Sequence, residues 1–405
     1  MKVVVIGGGA AGFFGAITCA ENYPDCEVIL IEKSDKLLAK VKVSGGGRCN
    51  VTHFCFEPKA LTQHYPRGNK ALLGPFNKFQ PKDTVEWFES RGVELKKEED
   101  GRMFPVTNNS QTIIDCLLKA SEDAGVKIWK QTSVNKIKKE ENGFCIELQS
   151  GPLLICDRIL IATGGHPKAE GYLWLKNLGH EIEIPVPSLF TFNALDKELH
   201  LLAGVSVERA SVKILNSKLE QEGPLLITHW GLSGPAVLKL SAWGARILND
   251  LNYDFTIMVN WLPGYKETTL QEQLLEIRNR ESKKKISTFS PFQIPSRLWK
   301  YLITRAGIGS ELRWADLLKK NQNKLVEELT RCVFQIKGKS TFKEEFVTSG
   351  GVRLKDINFQ TMESIKCPGI YFAGEVLDID GVTGGFNFQS AWTTGWLAGK
   401  AIGQV

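Results

Sequence analysis

The sequence predicts an α/β fold in which both ends of the chain build one parallel sheet around a long insertion. Three observations carry that reading. A continuous apolar run, Val3–Ile6, passes straight into glycines and then an apolar helix. Near residue 191 the βα alternation gives way to strand-like segments and then helix-period segments, and glycine-rich strand and helix return from about 346. The composition, 42% hydrophobic and 24% charged over 405 residues, is that of a globular protein and not of a disordered one. That length suits two or three domains.

The elements follow in order. Val3–Ile6 reads as a parallel strand covered on both faces. In the segment Gly7–Gly12, Gly7 permits the tight turn and Gly9 lets a pyrophosphate approach the backbone. Gly12 lets the following helix, Phe13–Ala20, pack close to the strand. That helix offers its N-terminal N–H groups and positive end to phosphates. A second strand, Glu27–Ile31, ends at Glu32, where a carboxylate can accept both hydroxyls of an adenosine ribose and would repel a 2′-phosphate. Val126–Trp129, Ser133–Lys138 and Phe144–Leu148 read as strands, the last two joined through a hairpin at Glu141-Asn142-Gly143. Ile159–Ile161 is a strand closing in the small residues Ala162-Thr163-Gly164-Gly165. In the insertion, Ser211–Leu215, Leu225–Thr228 and Phe255–Val259 are strand-like, and Leu270–Ile277, Ser296–Ala306 and Ala315–Leu329 are helical. A strand Gly369–Ala373 then ends in Gly374-Glu375, and a last helix is expected near Gln389–Ala401.

A dinucleotide is expected, and the first glycine motif leaves FAD and NAD open. The meander feeding Ala162–Gly165 looks like the two-dinucleotide-binding-domain flavoproteins and favours FAD. In such proteins the acidic residue at the position of Glu375 holds a ribityl hydroxyl. The Gly381–Asn387 segment would aim helix N–H groups at the flavin N1–C2=O edge, where reduced flavin is negative.

Four motifs then fall in order: Ser44–Thr52 (SGGGRCNVT), Gly101–Thr107 (GRMFPVT), Thr228–Pro235 (THWGLSGP) and Ala373–Gly381 (AGEVLDIDG). The whole chain resembles the BaiN/RdsA (YhiN-like) family of FAD-dependent oxidoreductases, similar to aminoacetone oxidase and to a bile-acid Δ4,6-reductase. The resemblance implies a Rossmann-like FAD-binding domain from 1–190 and 346–405, an inserted β-barrel over 191–265 and a helical subdomain over 266–345. The expected FAD contacts are Gly7, Gly9, Ala11, Gly12, Glu32, Lys33, Gly46, Arg48, Asn50, Val134, Thr163, Gly164, Gly374, Glu375, Gly385, Phe386 and Asn387. The Lys40–Asn50 segment reads as a glycine loop laid against the cofactor, with Arg48 as an anion partner and Asn50 placed at the ring by the resemblance. His229 is a candidate proton donor, set against a barrel histidine fixed by hydrogen bonds. Arg102, with Phe104 and Pro105, either lines a cavity or makes a structural turn.

FAD carries the hydride chemistry and the protein positions it. Three readings compete. The first is reduction of an enone among small organic substrates, with NAD(P)H as reductant. Without a second GxGxxG, NAD(P)H would bind transiently over the flavin. The others are an amine oxidase using O2 and a flavin-containing tRNA-binding or tRNA-modifying protein. The net charge of +6, from 51 basic and 45 acidic residues, is mild and does not call for nucleic acid. Lys283-Lys284-Lys285 has Glu272, Glu276 and Glu281 close by and reads as a solvated helix end. No apolar stretch reaches the roughly 18 residues of a membrane helix, and no cleavable leader is visible. Nine cysteines without a CxxC suit a reducing cytoplasm and no metal site. No cysteine or histidine suggests a covalent flavin link, and the oligomeric state is not readable.

Overall fold

The computed structural model describes residues 1–340 and 347–404. The chain divides into two compact units, Met1–Ser188 with Lys343–Val405, and Leu189–Phe342.

The first unit is organised by a seven-stranded sheet. Its parallel part runs, from one side to the other, Ile370–Phe372, Arg158–Ile161, Lys2–Ile6, Glu27–Ile31 and Lys127–Trp129. Val3, Val4 and Val5 are wholly buried, as a strand covered on both faces requires. The strands are aligned at their C-terminal ends: Gly7 N–H donates to Ile31 O (2.8 Å), Ala162 N–H to Ile6 O (2.9 Å) and Ala373 N–H to Ile161 O (3.0 Å). The turns after the strands therefore lie side by side. From the central strand Lys2–Ile6 the chain moves one way to Glu27–Ile31 and the other way to Arg158–Ile161. That is the switch point at which open α/β sheets bind their ligands.

Helix Ala10–Asn22 packs on the last helix, Phe386–Ile402, through glycine. A Cβ on Gly395 would lie 2.6 Å from Ala11 O, and one on Gly399 would lie 2.5 Å from Gly15 O. Only hydrogen fits there. Phe14 fixes the same interface against Phe79, Trp87 and Trp392 at 5.5, 4.6 and 5.2 Å. The last helix starts at Phe386, three residues before the expected Gln389. The expected Lys40–Asn50 loop also differs, because Ala39–Gly47 begins as helix. The helix breaks at Ser44 and turns left-handed at Gly45 and Gly46 (φ +58° and +69°).

The second unit is a closed six-stranded barrel, ordered Thr191–Ala194, Gly231–Ser233, Glu220–Thr228, Ser206–Ile214, Asp254–Asn260 and Cys332–Ser340. Helices Glu267–Arg280, Ser296–Arg305 and Lys319–Thr330 come before the sixth strand. The expected division into a 191–265 barrel and a 266–345 helical part therefore cuts through the barrel. Cys332, Phe334 and Ile336 are buried and Val333, Gln335 and Lys337 exposed, a period-two strand pattern inside the segment read as helical. Closure demands that strand, which pairs with both Thr191–Ala194 and Asp254–Asn260. Trp261, Trp299 and Trp314 fill the core of this unit. Among the described residues no helix is long and apolar enough to cross a membrane.

Candidate FAD and active site

The first glycine turn has the geometry its spacing predicts. A Cβ on Gly7 (φ +116°) would lie 2.3 Å from Ala162 O, and one on Gly12 would lie 1.9 Å from Gly7 O, while Gly9 faces open space. The turn is thus closed toward the sheet and open on the side where a pyrophosphate would lie. Glu32 stands beside it. Its carboxylate accepts from Gly8 N–H (2.8 Å) and Ser34 N–H (2.9 Å). Thr163 and Gly164 follow the neighbouring strand, and Thr163 Cα lies 3.1 Å from the Gly7 Cβ position.

The C-terminal return reaches the same edge. Gly374 (φ +77°) has room only because it lacks a side chain, since its Cβ would sit 2.8 Å from Ala11 Cβ. Ala11 and Gly374 thereby bring the two chain ends into contact. Glu375 projects next to them, accepting from Thr348 N–H (2.8 Å) and pairing with Lys40 Nζ (2.6 Å). The last helix opens at Gly385 (φ +92°), where Asn50 accepts from Gly385 N–H (2.9 Å) and donates to Thr52 O (3.0 Å). Asn387 closes the preceding loop through Gly381 N–H (2.8 Å) and Gly381 O (2.9 Å). Phe386, buried at the first helical position, stacks on His64 (4.2 Å) and on His53 (4.6 Å), whose rings lie 5.9 Å from each other.

A cradle of this kind fits FAD. It supplies open space at Gly9, a carboxylate at each end and a 17-residue helix whose positive end meets the loop. It also contains a wholly buried hydroxyl without a partner, Thr348 Oγ1, beside Glu375. A family model for the HI0933-like protein Rossmann domain matches residues 1–401. The chain belongs to that family. A ribosomal RNA dihydrouridine synthase of Escherichia coli (strain K12) is 32% identical over 98% of this chain and 97% of its own. A 3-dehydro-bile acid delta(4,6)-reductase of Clostridium scindens is 26% identical over 100% and 99%. Among solved structures, a 3-ketosteroid-delta4-(5alpha)-dehydrogenase of Rhodococcus jostii RHA1 superposes with TM-score 0.53 at 14% identity, covering 100% of this chain and 97% of that one. The open form of a flavocytochrome c3 fumarate reductase gives 0.52 at 16%, covering 99% and 78%. At such identities these two show the fold alone. The HI0933-like chain is a FAD-dependent oxidoreductase.

Other expected residues stand differently in this HI0933-like chain. Arg48 pairs with Glu98 (2.6 Å) and lies over the Phe104 ring (4.0 Å), so its charge is matched within the protein. Arg102 pairs with Asp100 (2.7 Å) and Glu98 (3.3 Å) on its own hairpin, the geometry of a structural turn. Lys33 is exposed directly after Glu32, and Gly46 is exposed with open space around it. Val134 starts the meander two residues after Thr132, whose N–H donates to Glu32 O (2.9 Å). His229 belongs to the second unit, exposed in the turn between Glu220–Thr228 and Gly231–Ser233.

Sequence reasoning missed Lys40, His53, His64 and a buried ion pair. Asp380, wholly buried, receives the Arg67 guanidinium through two nitrogens and the Ser188 hydroxyl (2.7 Å). Burial pushes the Asp380 carboxyl up, while Arg67 and Ser188 pull it down. This cluster ties the loop before Gly381 to Arg67 and to the end of strand Ile182–Ser188. The Ile-Asp-Gly run was the one visible signal, an acid between apolar residues in a motif otherwise explained by Glu375. All nine cysteines are free thiols, seven of them buried.

Proposed function

We propose that this chain reduces a carbon–carbon double bond conjugated to a carbonyl, using NAD(P)H as the source of electrons. One observation carries the reading: two relatives matched over almost their entire length are named for one chemistry on different molecules. Dihydrouridine is uridine whose 5,6-double bond, conjugated to the C4 carbonyl, has been reduced, and a delta(4,6)-reductase acts on a conjugated steroid. FAD, when bound, supplies the hydride.

The remaining tasks fall to the protein. Gly7, Gly9 and Gly12 leave room for the pyrophosphate, and Glu32 suits the ribose. Glu375 suits the ribityl chain, and the start of the last helix favours negative charge at the flavin N1–C2=O edge. Reduction also requires a proton at the carbon next to the carbonyl, and His229 is the residue we assign to donate it. The acceptor we favour is uridine in RNA, because the RNA-acting relative is the more similar of the two. This sets aside the expectation of a small substrate without nucleic acid, which rested on a mild net charge.

Anaerobic mixing of the yellow protein with NADPH or NADH should bleach it, and a uridine-containing fragment of ribosomal RNA should restore the colour as dihydrouridine forms. Restoration by a conjugated steroid ketone but not by RNA would keep the reaction and change the acceptor. Bleaching by small amines with release of peroxide, and none by NAD(P)H, would replace the reading with an amine oxidase.

A further inference from the structure

A buried carboxylate stands at the start of the last helix. Asp380 is wholly buried and precedes Gly381, which is folded back onto the first turn of helix Phe386–Ile402. A Cβ on Gly381 would lie 2.8 Å from Phe386 Cβ. The Asn387 amide accepts from Gly381 N–H (2.8 Å) and donates to Gly381 O (2.9 Å). A helix N-terminus carries about half a positive charge, and a carboxylate near it draws on that charge. In the proposed function the same positive end favours the reduced flavin. An unmatched Asp380 would therefore compete with the cofactor.

Arg67 removes that competition. Its guanidinium donates to both carboxylate oxygens of Asp380, through Nε and Nη2, and the Ser188 hydroxyl donates to Asp380 Oδ2 (2.7 Å). The Arg67 side chain is only 14% exposed, so salt and solvent screen the pair little. Holding the loop in place does not require this charge. His64 O accepts from Val382 N–H (2.9 Å), Tyr65 OH donates to Phe386 O (2.6 Å), and a Cβ on Gly68 would lie 2.7 Å from Ile379 Cγ1. Neutral contacts from the same segment thus brace the loop already, and a buried ion pair is by itself weak evidence of stabilisation. What the pair adds is charge compensation at the helix start. We propose that Arg67 is a positioning residue that acts on the cofactor through Asp380, neutralising it so that the positive end of the last helix stays available to the reduced isoalloxazine of FAD. The inference rests on the FAD reading of the site and is independent of the acceptor that is reduced.

The test is the reduction potential of FAD in the holoenzyme at pH 8, read by equilibration with a reference dye, with flavin content and thermal midpoint recorded alongside. Arg67→Gln leaves the carboxylate unmatched. It should lower the ratio of reduced to oxidised flavin at a fixed potential about tenfold, the scale of one unit charge in a protein interior. For a two-electron couple that is a shift of about 30 mV to more negative values. Asp380→Asn leaves the guanidinium unmatched and should shift the potential about equally in the opposite direction. Arg67→Lys keeps the charge and should hold the wild-type potential. A merely structural clasp would lower the thermal midpoint in these variants without giving shifts of opposite sign. If one of the first two variants does not retain FAD, the sign of the other, set against Arg67→Lys, decides. Shifts of the same sign, no shift, or loss of FAD from both overturns the inference and leaves the proposed reaction standing. A wild-type protein that binds no FAD overturns both.

Discussion

Each unit holds a cluster of charged and hydroxyl groups, and the two clusters are built differently. In the barrel unit, Arg305 lies between Asp196 (2.9 Å) and Glu328 (2.7 Å), Tyr301 donates to Asp196 (2.6 Å), and Lys324 reaches Glu328 (3.3 Å). Donors and acceptors are matched, so the cluster fastens helices Ser296–Arg305 and Lys319–Thr330 to the barrel and has no need of a ligand. At the sheet edge of the other unit, Glu375 and Lys40 pair while Thr348 Oγ1 stays unmatched, packed with Glu375 against Gly165. Similar residue types thus do different work, and matching donors against acceptors separates them. Matched sets hold a fold together, and an unmatched buried hydroxyl is the feature that calls for an explanation.

The glycines offer the sharpest way to break that contrast. Gly12→Ala forces a Cβ to 1.9 Å from a backbone oxygen, which no side-chain movement relieves. We expect a colourless, poorly folded protein. Gly204→Ala in the barrel unit meets open space and has only its left-handed backbone (φ +88°) to overcome, a cost of about 1–2 kcal/mol. The ratio of flavin to protein absorbance and the thermal midpoint report both. A yellow Gly12→Ala protein would remove the phosphate turn from the argument.

The buried acids come next. Asp380→Asn removes the wholly buried charge that the Arg67 guanidinium faces, and urea unfolding should register a loss of about 3–5 kcal/mol. Asp196→Asn, at a side chain 24% exposed, should lose about 1 kcal/mol, nearer the range of exposed pairs. Equal losses would mean that depth of burial does not separate the Asp380 pair from the Asp196 pair.

These contrasts also mark how far the sequence could be read. The strand, the three glycines, Glu32 and Glu375 were legible because each acts through local spacing or at the end of an apolar run. Arg48 was legible as a cation but not in its partner, since Glu98 lies fifty residues along the chain. Thr348, Lys40, Arg67 and Asp380 gain meaning only when the fold joins segments up to 335 residues apart. The sixth barrel strand carried its alternating pattern openly, but it follows three helices and was absorbed into them.

His229 tests whether the barrel unit takes part in chemistry at all. As the proton donor, its replacement in His229→Asn should lower kcat by about a hundredfold or more while FAD binding stays unchanged. An unchanged kcat would return the residue to an ordinary exposed turn.

The smallest expected effect concerns acid, and it separates the units by pH. His180, in the first unit, is buried with Nε2 2.7 Å from Ser364 Oγ, and burial holds its pKa below the ordinary 6.5. The unfolded chain then takes up a proton that the folded chain refuses. Its contribution to stability is complete above pH 6.5 and declines as pH falls below that value toward the depressed one. In the barrel unit, Glu328 and Asp196 titrate below their ordinary 4.5 and 3.8, although burial alone would raise both: Arg305 outweighs it at Glu328, and Tyr301 and Leu199 N–H at Asp196. What those groups contribute is present above their ordinary values and is lost only in stronger acid. Between pH 6.5 and 5, then, His180 should weaken the flavin-binding unit while Glu328 and Asp196 leave the barrel unchanged, and His180→Gln should flatten the pH dependence in that window, whatever it costs at pH 8. Urea midpoints at pH 5, 6 and 8, read by flavin release, measure it. A variant whose midpoint falls as steeply as that of the wild type between pH 6.5 and 5 would assign the acid response to some other group.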